Sequence, residues 1–89
     1  MIQEGLRGIK ITMPANNKQW QEFRERHKMP FLCFRRKFVK DGRDGVVTGL
    51  KDKGLLVRYA DEIYSEQMLD FKRNVVYLDK NDEVIKWYL

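Results

Sequence analysis

The chain is 89 residues long, with 43% hydrophobic and 35% charged residues, enough for one domain with a modest core and too little for a substrate cleft between two lobes. Its 18 Lys/Arg outnumber 13 Asp/Glu for a formal net charge of +5, and its longest apolar run, Met29 to Phe34, contains Pro30, far short of the roughly 20 residues of a membrane span. The opening MIQEGLRGIKITMP lacks the continuous apolar stretch of a secretory signal, and the one cysteine, Cys33, leaves no internal disulfide, so the expectation is a single domain over residues 1–89 in the cytoplasm.

In chain order, Gly8 to Met13 alternates apolar and polar residues and reads as a short strand with one wet face. Residues 16–28 read as a helix: Asn16 is a good N-cap, Gln19 completes a capping box, and Trp20, Phe23 and His27 share one stripe. Pro30 stops that helix. Phe31 to Val39 is rich in strand formers, and the loop from Lys40 to Gly45 contains two Asp-Gly steps suited to positive φ. Val46 to Lys51 and Leu55 to Ala60 are strands, joined by a three-residue turn with Gly54 in its bulge position; Leu55, Val57 and Tyr59 share a face. Tyr64 to Phe71 tolerates either strand or helix and is read as a strand, followed by one 3₁₀ turn over residues 71–74. Asn74 to Leu78 and Glu83 to Leu89 are the last two strands, joined by residues 79–82.

Charge is unevenly spread. Residues 1–43 hold 11 Lys/Arg and 4 Asp/Glu, whereas residues 44–89 hold 7 and 9. Eight cations fall within residues 24–43: Arg24, Arg26, Lys28, Arg35, Arg36, Lys37, Lys40 and Arg43. Such a cluster attracts phosphates or an acidic protein surface; the same side chains also serve simply to keep a small protein soluble.

The stretch Gly45-Val-Val-Thr-Gly-Leu-Lys-Asp-Lys-Gly-Leu-Leu-Val-Arg-Tyr-Ala-Asp-Glu resembles the centre of SH3-like barrels of the Tudor and KOW type. Met68 to Val76 resembles the strand and one-turn link that close such barrels, and the likeness spans residues 31–78. It implies an α+β, mainly β chain: a five- to six-stranded SH3-like antiparallel barrel over residues 31–89, with one N-terminal helix (about 16–28) packed on it. A Tudor-like reading implies an aromatic cage for a methylated cation from Tyr59, Tyr64 and Phe71. A KOW-like reading implies contact with RNA or transcription machinery.

Catalytic chemistry is sparse. The chain has one histidine, one cysteine and one serine, His27, Cys33 and Ser65, so a nucleophile–base pair or a four-ligand zinc site is not expected. Cys33 between Leu32 and Phe34 reads as a buried thiol, and His27 as a partner for helix-end carbonyls. No phosphate-cradling glycine loop is present. The expectation is a non-enzymatic binding protein without cofactor, metal or small-molecule substrate, and without a membrane partner. Three readings compete. One is an adaptor or inhibitor that docks those eight cations on an acidic surface of a larger protein. By size and composition it resembles small phage-encoded proteins that modulate host transcription, replication or division, which implies the host cytoplasm. The second is a nucleic-acid module in which the same cations meet phosphates and Trp20 or Phe38 stacks on a base. The third is a subunit whose strand from Glu83 to Leu89 joins a neighbour's sheet.

Overall fold

Asn16 caps the helix as its sequence requires. Its side chain accepts from the Gln19 N–H at 2.8 Å, and the Gln19 side chain accepts from the Asn16 N–H at 2.9 Å. In the computed structural model, which describes residues 15–62 and 65–89, this helix is α1 (Asn17–His27). It ends at Lys28, which turns left-handed (φ 55°), while the Met29 N–H bonds back to the Arg24 carbonyl at 3.0 Å. That closure drops Met29, fully buried, beneath the helix end.

Six antiparallel strands follow: β1 (Lys37–Lys40), β2 (Arg43–Lys51), β3 (Gly54–Tyr59), β4 (Gln67–Leu69), β5 (Val75–Leu78) and β6 (Val84–Tyr88), paired in the order β4-β3-β2-β1-β5-β6. The protein is therefore α+β and mainly β. The expected closure into a barrel is not made: among the described residues β4 and β6 stand at opposite edges and share no ladder. β4 is only three residues long, and β6 extends the sheet beyond β5. The inner face is covered by α1, whose Trp20 and Phe23 join Phe38, Val47, Leu55, Val57, Tyr59, Leu69, Val75 and Tyr77 in one core. Each of the larger fully buried apolar side chains is worth about 1.5–3 kcal/mol relative to exposure. The Tyr77 hydroxyl donates to the Phe71 carbonyl at 2.6 Å, so the polar end of this buried ring is satisfied.

Strand boundaries differ from the sequence reading where turn chemistry competes. The strand expected over Phe31 to Val39 begins only at Lys37, because Cys33 to Arg36 closes a turn (Arg36 N–H to Cys33 carbonyl, 3.2 Å) with Arg35 at φ 72°. The β1–β2 reversal uses only the first Asp-Gly step. Asp41 (φ 51°) and Gly42 (φ 80°) both take positive φ, the hairpin geometry that Asp-Gly favours. Asp44-Gly45 lies inside β2 instead, with Gly45 directly opposite Phe38. The next hairpin is a two-residue one over Asp52-Lys53, since Lys51 pairs with Gly54. It is Asp52 (φ 56°), not Gly54, that takes the left-handed conformation. The fourth strand is confirmed as β4 within its expected span. The strand expected over residues 8–13, and Tyr64 at the start of the fourth, lie outside the described residues.

Candidate functional site

The eight cations of residues 24–43 do not form one surface. Three are tied to carbonyls of their own chain: Arg24 donates to Leu32 at 3.0 Å, Arg36 to Phe31 at 2.8 Å and to Leu78 at 3.2 Å, and Lys40 to Arg73. Two more carry their own acids. Lys37 meets Asp82 at 2.9 Å, and Arg43 grips the Asp61 carboxylate through Nη2 (2.9 Å) and Nε (3.3 Å), with Glu62 at 3.4 Å. The Arg43 guanidinium holds the Asp61 carboxyl below the usual carboxylate range, principally through that side-chain hydrogen bond. Arg26, Lys28 and Arg35 remain exposed and unpaired among the described residues.

One of these three, Arg26, meets a cation that lies far away in sequence, Lys72, at His27. The half-buried His27 packs on Phe23 (4.4 Å between ring centroids) and edge-on against Phe71 (4.9 Å). This contact sets the end of α1 against the turn over residues 71–74. Arg26 and Lys28 flank His27; Lys72 and Arg73 follow Phe71, and all four are exposed. The juxtaposition registers on His27: burial lowers its pKa from 6.5, and repulsion from Lys72 and then Arg26 lowers it further. Its Nε2 is buried without a hydrogen-bond partner among the described residues. Lys72 and Arg73 were not singled out by sequence, because they sit in a half of the chain with more acids than bases.

The His27 environment has a measurable consequence. The unfolded chain takes up a proton on His27 near pH 6.5, while the folded chain does so only at lower pH. Below that value the unfolded state binds more protons, so His27 removes stability as pH falls from 7 towards 5. Urea midpoints at pH 7.5 and 5.5 are expected to differ more for the native chain than for His27→Gln.

Arg35 occupies a second exposed position. It sits at the tip of the Cys33–Arg36 turn beside Phe34, which is 56% exposed, with its guanidinium 5.9 Å from that ring's centre. Its backbone is held by bonds of the Arg35 N–H to the Val47 carbonyl (2.8 Å) and of the Val47 N–H to the Arg36 carbonyl (2.9 Å). A non-glycine residue there costs about 1–2 kcal/mol, partly offset in glycine by its freer unfolded state. Arg35→Gly is therefore expected to hold or raise the melting temperature, whereas Arg36→Ala lowers it.

The outer face of the sheet is of mixed character. A groove of about 510 Å³ is floored by Val46 and Leu78 and flanked by Lys37, Arg58, Asp44 and Asp82. Beyond it, on β6, Val84 and Trp87 are 63% and 64% exposed. The cage residues fall into separate groups. Tyr59 has the Arg43 guanidinium 3.9 Å from its ring centre and meets Phe38 edge-on at 5.6 Å, whereas Phe71 packs on Phe23 and His27; Tyr64 lies outside the described residues. Among the described residues no three His, Cys, Asp or Glu side chains gather as metal ligands, and no helix is long and apolar enough to cross a membrane. No protein-family model, no curated protein and no solved structure matches the chain.

Proposed function

We propose that this is a non-enzymatic binding module that docks on an acidic surface of a larger protein through Arg26, Lys28, Lys72 and Arg73, and modulates that protein by occupying the surface. The observation that carries this reading is the meeting of two sequence-distant segments at His27, which Lys72 and Arg26 both repel, with Lys28 and Arg73 their exposed neighbours in the chain and none of the four in an ion pair among the described residues. Desolvating such a cluster is favourable only against a negative partner, and its field steers that partner in. A protein suits it better than a nucleic-acid backbone because the positive area is local: Asp82 and Asp61 answer Lys37 and Arg43, and Asp44 flanks the outer groove.

The SH3-like resemblance is supported at the level of connectivity. Four consecutive strands form a meander, a turn over residues 71–74 follows, and β5 returns beside β1. A module of this size without a catalytic constellation acts by binding, as in the small phage-encoded host-modulating proteins it resembles in size and composition.

Affinity capture from a cell lysate, with and without nuclease, tests the proposal. A protein partner retained after nuclease and released by moderate salt is the expected result. Capture abolished by nuclease would replace this reading with nucleic-acid binding.

A further inference from the structure

The outer edge of β6 is unpaired among the described residues, and its side chains are unusually apolar for an edge strand. β6 also carries a bulge. Tyr77 pairs with Lys86 but Leu78 pairs with Val84, so Ile85 is the extra residue and stands with Val84 opposite Leu78. The bulge changes the alternation of side chains. Val84, Ile85 and Trp87 fall on the outer face, Trp87 by its pairing with Val76; Lys86 falls on the inner face by its pairing with Tyr77. Glu83 falls on the inner face too, because the ladder continues from Leu78–Val84 to the Asp79 N–H bonding the Glu83 carbonyl at 2.9 Å.

The segment Glu83-Val84-Ile85-Lys86 is thereby complementary to itself. We propose that two copies of this chain pair antiparallel, β6 against β6, about a two-fold axis between Val84 and Ile85. In this register Val84 faces the second copy's Ile85 on the outer side, and Glu83 faces its Lys86 on the inner side, each contact made twice. An unbulged strand cannot do this. Directly opposed residues must share a face, and without the extra residue Glu83 and Lys86 would point to opposite sides. The pairing joins the exposed Val84 and Trp87 of both copies into one apolar strip. It uses none of the four cations of the binding cluster, so a dimer would present that cluster twice.

Sedimentation of the full chain from about 1 µM to about 1 mM tests the pairing, with a dissociation constant expected in the micromolar range. Lys86→Glu places like charges opposite each other twice and is expected to raise that constant about tenfold. Glu83→Lys combined with Lys86→Glu restores opposite charges and is expected to return it to within about threefold of the native value. Thermal melts of both variants identify any loss of fold. A monomer mass throughout the range would overturn the proposal, as would a double variant no tighter than Lys86→Glu alone. Hydrogen exchange separates the remaining occupant: protection of β6 amides should grow with protein concentration. Protection independent of concentration would place the covering strand within the same chain and overturn the dimer.

Discussion

Gly45→Ala is expected to lower the unfolding free energy by about 2–3 kcal/mol, with a fall in melting temperature of about 10–20 °C for a domain of this size. A methyl group on Gly45 would lie 2.5 Å from Phe38 Cζ, 2.9 Å from its Cε1 and 3.0 Å from the Arg58 carbonyl oxygen. Neither obstacle can move freely. Phe38 is almost fully buried, with Tyr59 packed on its edge, and Arg58 belongs to the neighbouring ladder strand. Gly54 supplies the comparison. A methyl there meets mainly the Cε of Met68, the free end of a flexible and half-exposed side chain, which can swing aside. Gly54→Ala is expected to cost less than about 1 kcal/mol. Denaturant titration of both variants, with unchanged slopes, measures the contrast.

Charge reversal should separate the cations that bind from those that hold the fold. Arg26→Glu with Lys72→Glu is expected to weaken partner association at least about tenfold and to flatten its salt dependence, with little change in melting temperature. Both residues are exposed and make no ion pair among the described residues. Arg36→Ala should show the opposite pattern. It releases two part-buried carbonyls, Phe31 and Leu78, and with them the tie between the segment before β1 and the end of β5. A loss of about 2–3 kcal/mol of stability is expected, with any residual folded protein still competent to bind. Calorimetric melts and binding isotherms on the same samples distinguish the two patterns.

Local chemistry made much of this fold legible. The Asn16–Gln19 capping box, the Trp20–Phe23–His27 stripe, the Asp41-Gly42 reversal and the alternation of Leu55, Val57 and Tyr59 all depend on near neighbours, and the structure carries each of them. What sequence obscured was set by contacts between distant segments. The strand formers of Phe31 to Val39 were overruled when Leu32 was buried in the core and Cys33 to Arg36 turned against Val47. Barrel closure depended on whether two edges would meet across the molecule, which no local pattern specifies. The basic run was legible as charge but not as surface. Alternation along the chain does not tell that Arg36 reaches the Leu78 carbonyl, 42 positions on, or that the ring of Phe71 brings Lys72 beside His27.

A backbone amide NMR titration of the full chain with the captured partner tests docking at the end of α1. The largest shift changes are expected on residues 26–28 and 71–74, two segments distant in sequence, and should disappear for the Arg26→Glu/Lys72→Glu variant. Changes centred on the outer groove at Val46 and Arg58, with residues 26–28 and 71–74 unaffected, would contradict docking there.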